Sequence, residues 1–235
     1  LLDKLLPELN NTEIDISGNH IKNGIISSIK QLTTQNLHAV YQITLVPWVW
    51  LLTKQSGYRI YQNQSIPHIL DDVLTHYPYP VEFRLSNHYP VLDYQTQYGE
   101  TDYDFITRLM GEHGINYYFE HTQDQHTLIL TDQNSHYQPQ PNPHYQNLII
   151  YPPNQRMPNY AEYIEHFHPA QALVTGQSLL ADYQFKTPKL TLTAHDQYQW
   201  DNVHNDLQHY EWQQGMGVDN EALQTKANNR TQADY

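Results

Sequence analysis

The chain has 235 residues and no cysteine, which excludes a disulfide framework, a thiolate zinc site, an iron–sulfur centre and a cysteine nucleophile. Its formal net charge of -13 with histidine neutral argues against a nucleic-acid surface and against attraction to anionic lipid. Only 16% of residues are charged, so the low mean hydropathy comes from Gln, Asn, His, Thr and Tyr, as in a polar globular chain rather than a charged disordered tail. Along the chain, Leu1, Leu2, Leu5, Leu6 and Leu9 have helical spacing up to Asn10-Asn11. Ile14 and Ile16 then alternate with polar residues as in a strand, and Gly24 to Ile29 reads as another. Val40 to Val49 reads as a strand that ends near Pro47. Ile66, Ile69, Leu70, Val73 and Leu74 follow the i, i+3, i+4, i+7, i+8 pattern and predict a helix near 66–76. Ser65 is its expected N-cap, Pro67 falls in its first turn, and Pro78 and Pro80 end it.

A second helix is predicted near 102–113. Thr101 can cap it, and Asp102 and Asp104 sit in a charged first turn that the helix dipole favours. Arg108 lies within reach of a pair with Asp102, and Asp102→Asn is expected to matter little. Phe105, Ile106, Leu109 and Met110 make the apolar stripe, and Gly114 is a left-handed terminator. Ile115 to His121 alternates as a strand, with Thr127 to Thr131 as hairpin partner across Gln123-Asp124-Gln125. Six prolines between 133 and 160 mark a long connection. Ala161 to Phe167, Ala172 to Thr175 and Lys189 to Ala194 read as short strands, and Asp219 caps a last helix through Arg230. The 20 tyrosines suit half-buried strand faces, or an adhesive interface.

No apolar run approaches 18 residues, so no membrane span is expected. The start, Leu1-Leu2-Asp3-Lys4, lacks the pattern of a signal peptide and reads as a cut from a longer protein. Fifteen histidines should protonate near pH 5 where exposed, bringing the net charge towards zero and lowering solubility.

Catalytic signatures are weak. His166-Phe167-His168 could supply two metal ligands on one strand face, with His113, His121 or Asp102 as a third, but no His-Glu-x-x-His helix accompanies them. Asp102-Tyr103-Asp104 reads as a charged helix turn rather than a catalytic carboxylate pair. Thr175-Gly176-Gln177-Ser178 lacks the second glycine of a nucleophile elbow, and Gly215-Met216-Gly217 lacks the third glycine of a dinucleotide loop. The residues alone nominate no catalytic group, cofactor or metal.

The run from Gln97 to His121 carries more. Gln97, Tyr98, Glu100, Asp102, Asp104, Phe105, Arg108, Leu109, Gly114 and Tyr118 lie in a segment that resembles a signature of the VgrG spike proteins of type VI secretion systems. Thr101, Gly111 and His113 depart from that pattern, where the family has Ser, Glu and Glu. Tyr41 to Trp48, Tyr58 to Ile66, Asp182 to Pro188 and Tyr210-Glu211-Trp212 resemble further family segments in the same order. The resemblance implies a β-rich α+β fold like a phage baseplate hub, with two β-barrel-like subdomains and small α/β insertions. It implies a first barrel-like portion at 1–132, a connection at 133–160, and a second portion at 161–235 that leads to an OB-fold. It also implies a structural rather than enzymatic role. The partners would be two further copies in a homotrimer, the hexameric tube protein (Hcp), baseplate components and carried effectors. The place would be the bacterial cytoplasm before firing, then delivery outside the cell. The signature residues would be structural. The alternatives are a phage-derived tail hub, a metal-dependent hydrolase using His166 and His168, and a generic tyrosine-rich binding module.

Overall fold

A computed structural model describes residues 12–15, 21–35, 38–122, 124–139, 146–147, 149–150, 163–164, 166–170, 172, 174–197, 206–213 and 219–233. The fold is α+β and β-rich. The strands begin with β1 (Thr12–Asp15), β2 (Ile21–Gln35) and β3 (His38–Val46), which form an antiparallel sheet in that order. Strand β3 stops at Val46, just before Pro47, and the next residues coil as a 3-10 turn, Trp48–Lys54, instead of extending the strand to Val49. The strand thus ends at the proline, as expected. The turn buries Trp48, Val49 and Leu52.

Next come β4 (Ser56–Ser65), α1 (Ile66–Leu74), β5 (Val81–Arg84), β6 (Val91–Thr101), α2 (Asp102–Glu112), β7 (Asn116–His121) and β8 (His126–Thr131). Strands β4 and β6 pair antiparallel, and β8 lies between β5 and β7. Helix α1 buries all five residues of its predicted stripe. Its cap differs from expectation: the Ser65 hydroxyl makes no bond to a helix N–H and instead meets His68 Nδ1 at 2.6 Å. Pro67 explains part of this, because it occupies the second helical position and has no N–H to offer.

The chain closes with β9 (Gln177–Tyr183), β10 (Thr191–Gln197), β11 (Gln208–Trp212) and α3 (Asn220–Ala233). Strand β9 is central, antiparallel to β10 and parallel to β11. Of the strand expected at Ala161 to Phe167, the described residues show only an isolated bridge between Ile164 and Ile150. The described residues of Ala172 to Thr175 are irregular. The leucine-rich start and most of the proline-rich connection lie outside the described residues. Helix α3 begins as expected: Asp219 Oδ1 accepts the Ala222 N–H at 2.9 Å. Among the described residues none of the four sheets closes into a barrel, and no helix is long and apolar enough to cross a membrane.

One apolar core runs through the molecule, from Trp48 and Leu52 through α1 and α2 to Leu180, Leu192, Leu223 and Ala227. The β7–β8 hairpin holds neighbouring segments through two histidines that face each other across the strands. Asn23 N–H on β2 donates to His121 Nδ1 at 3.1 Å, and Trp48 N–H donates to His126 Nε2 at 3.0 Å. Each accepting nitrogen must be unprotonated. Burial, the Lys22 ammonium and His126 lower the His121 pKa to about 4, and burial also lowers that of His126. His113 is likewise lowered to about 4, by burial and then by Lys226. These three therefore do not join the general protonation expected near pH 5. A depressed histidine pKa stabilises the fold fully above the unfolded value of about 6.5, and that contribution is lost as pH falls towards 4. The melting temperature is thus expected to fall steadily from pH 7 to pH 4.5 in a thermal scan. A flat profile over that range would show that the two imidazoles are not acceptors.

Candidate functional site

The junction of β6 and α2 collects the charged residues of the signature segment. Thr101 ends β6 and caps α2: the Asp104 N–H donates to its Oγ1 at 3.0 Å, and its hydroxyl donates to Asp104 Oδ2 at 2.7 Å. Asp102, one position inside, is fully buried. Gln97 Nε2 donates to its Oδ1 at 2.8 Å, and the Tyr77 hydroxyl donates to its Oδ2 at 2.9 Å. Arg59, on β4, pairs with it at 3.3 Å, and the Asp102 backbone N–H donates to the Gln55 carbonyl at 2.9 Å. Asp102 is therefore a buried anchor between two strands, a loop and a helix, not a solvated first-turn charge, and its partner is Arg59 rather than Arg108. The β4–β6 register causes this: Arg59 lies directly opposite Gln97, so both reach the helix start from one sheet face. Burial pushes the Tyr77 hydroxyl pKa well above its ordinary value, and its bond to Asp102 adds to that.

Arg108 instead grips Glu100, with Nη2 to Oε1 at 2.6 Å and Nε to Oε2 at 3.2 Å, and donates to the Thr96 carbonyl at 3.2 Å. This two-pronged geometry is the strong form of the arginine–carboxylate contact. Glu112, at the end of α2, meets Lys226 of α3 at 3.0 Å, so ion pairs run from β6 across α2 to α3. Phe105 and Leu109 are fully buried. Gly114 has φ of +67°, as a left-handed terminator requires, and an added Cβ would stand 3.1 Å from the Asn229 side chain.

Not every signature residue joins this junction. Tyr98 points outward, 78% exposed, with its ring edge-on to Tyr58 at 5.1 Å. Tyr118 lies on β7, where its hydroxyl accepts from Arg84 at 2.6 Å beside the Arg84–Glu120 pair. Sequence reading missed Arg59, Tyr77 and Lys226, which contact the junction from distant segments. It also missed Asp132, whose carboxylate takes the N–H groups of Ser86 and Asn87 and the Tyr89 hydroxyl at 2.7–3.0 Å. Burial alone would raise the Asp132 pKa, but these donors outweigh it and hold it below its usual value.

The candidate metal ligands are dispersed. His166 and His168 stack on each other with centroids 5.8 Å apart, while His121 accepts from Asn23 and Asp102 is committed to Arg59. Among the described residues no three of His, Asp and Glu are placed to hold a metal ion. The junction locks a two-stranded sheet to the core helix, while Tyr58, Ile60 and Tyr98 on the other sheet face are exposed.

The family model described as phage tail baseplate hub matches residues 10–235. This chain belongs to the phage tail baseplate hub family. It is 37% identical over 166 residues to the type VI secretion system spike protein VgrG1b of Pseudomonas aeruginosa, covering 70% of this chain and 22% of that protein. VgrG1c of the same organism is 34% identical over 191 residues, covering 80% of this chain and 26% of that protein. The chain thus spans about a quarter of the length of these spike relatives. Among solved structures it is similar to an E. coli component of the type VI secretion system described as similar to T4 bacteriophage tail proteins, at 25% identity and a TM-score of 0.53, over 62% of this chain and 40% of that one. A tail protein of Neisseria meningitidis shares the hub fold at a TM-score of 0.62 over 94% of this chain and 63% of that one, at 14% identity.

Proposed function

We propose that this hub chain is part of a trimeric type VI secretion spike, capping the hexameric tube and linking it to a needle for effector delivery. The observation that carries the reading is 34–37% identity to spike proteins along 70–80% of the chain, on top of the hub family match. A tail hub of phage origin has weaker support, since the Neisseria tail protein shares the fold at 14% identity. The role is structural: a buried ion-pair junction and a continuous core suit a part that transmits force between tube and needle. The signature residues of the junction, chiefly Gln97, Glu100, Asp102, Phe105 and Arg108, hold the β4–β6 sheet on α2, and residues 1–132 and 161–235 act as two portions joined by the proline-rich segment. The assembly forms in the bacterial cytoplasm with baseplate components and leaves the cell on firing.

Light scattering of the chain across a concentration series tests the trimer. A species near three times 27.7 kDa is expected. That species should also bind the purified hexameric tube protein at one tube end. A chain that stays monomeric throughout would place trimer formation outside these residues. A trimer indifferent to the tube would remove the capping role.

A further inference from the structure

The two-stranded sheet β4–β6 is built inside out. Its inner positions carry Arg59, Tyr61, Gln95 and Gln97, while its outer positions carry Tyr58, Ile60, Tyr94 and Tyr98. Outward, Tyr58 is 73% exposed, Ile60 62% and Tyr98 78%. A sheet face in water usually shows the reverse alternation. Gln62 and Thr96 complete the outward row, so no formal charge interrupts it. Two strands alone also make a marginal sheet, which favours a surface that covers them.

The β9–β11 sheet offers a second such face. Its inner positions, Leu180, Leu192 and Ala194, are buried, and α3 packs on this sheet. Opposite them, Tyr210 and Trp212 on β11 are 55% and 56% exposed, with Tyr183 on β9 also exposed. None of these outward residues carries a formal charge.

A closed ring of three identical chains needs two different faces on each copy, because its contacts are head-to-tail. We infer that the outer face of β4–β6 on one copy docks on the outer face of β9–β11 on the next. This rests on the trimer reading above and names the surfaces that would close it. The occupant is argued from charge. Copies of a chain carrying -13 repel each other wherever their acidic surfaces meet. Uncharged aromatic faces are where such copies can approach without that penalty, and tyrosine and tryptophan supply large contact area there. A basic partner would instead seek the acidic surface.

Ile60→Lys breaks the first face and Trp212→Lys the second. Both positions are exposed, so the fold is expected to survive, and matching melting temperatures check this. Each variant alone should drop from three times to one times 27.7 kDa in light scattering. Mixed together they keep one intact pair of faces, and a species near two times 27.7 kDa should appear. Unfolded or non-specifically damaged chains would not complement in this way. Ile43→Lys, on an exposed position of β3, should leave the trimer intact. Trimers that persist in either face variant, or monomeric variants that fail to pair on mixing, would overturn the docking while leaving the trimer itself standing. A wild-type chain that is monomeric at every concentration would overturn the docking and place trimer formation outside these residues.

Discussion

Replacing Asp102 with alanine is expected to cost about 3–5 kcal/mol of unfolding free energy, because it removes one member of a buried ion pair and leaves the other unmatched. Asp102 has no exposed surface, and three side chains from three elements converge on its carboxylate: Arg59 on β4, Tyr77 after α1 and Gln97 on β6. Arg59 keeps a quarter of its side chain in solvent, which softens the penalty towards the lower end of that range. Asp102→Asn retains the shape and one acceptor oxygen but loses the charge, so about 1.5–3 kcal/mol is expected, in line with hydrogen bonds to charged groups. Asp104→Ala supplies the comparison. Asp104 also sits in the first turn of α2, yet among the described residues its carboxylate takes only the Thr101 hydroxyl, at 2.7 Å. Its loss should cost about 1 kcal/mol or less, as for a cap contact. Urea denaturation of the three variants decides the matter. Equal losses for Asp102→Ala and Asp104→Ala would mean that both are ordinary first-turn charges and that the Arg59 pair contributes nothing.

The difference between these two aspartates marks what the sequence could and could not show. Helix α2 was legible at both ends because its signals are local. Thr101 and Asp104 are three residues apart, and Gly114 carries its own backbone preference. The carboxylate of Asp102 was illegible because its ionic partner lies 43 residues earlier, on a strand whose register with β6 no local pattern reveals. Strand β9 was missed for a related reason. Gln177–Tyr183 has neighbours on both sides and buries Ser178 and Asp182 beside Leu180 and Ala181, so it shows no clean alternation. In β4–β6 alternation is present but inverted, and a binary reading would turn Tyr58 and Ile60 inward. The 20 tyrosines divide accordingly: Tyr61 is core, while Tyr58 and Tyr98 are surface, which only the register distinguishes. The ordered motifs of the resemblance gave the hub family directly, without any catalytic constellation to support it.

Phe105→Ala is expected to cost about 3–5 kcal/mol, the usual range for deleting a fully buried aromatic ring. The ring is completely excluded from solvent and stacks on Tyr61 of β4 with centroids 5.6 Å apart and planes 14° from parallel. The Arg108 guanidinium lies 5.4 Å from the ring centroid, and that guanidinium is held by Glu100. Phe105 is thus the apolar counterpart of Asp102: one joins α2 to β4 by contact, the other by charge, less than one helical turn apart. Because the cavity left by alanine would be bordered by Tyr61 and the Arg108 guanidinium, collapse around it would disturb the Glu100 grip as well. The losses from Phe105→Ala and Arg108→Ala should therefore combine non-additively, by about 0.5 kcal/mol or more in a double-mutant cycle. Phe105→Leu, which refills most of the volume, should recover more than half of the loss. A cost below about 1 kcal/mol for Phe105→Ala on denaturation would place the ring in solvent and rotate the whole helix relative to β4. It would then be hard to keep Asp102 buried, since residues three apart on a helix share one face, so the two measurements check each other.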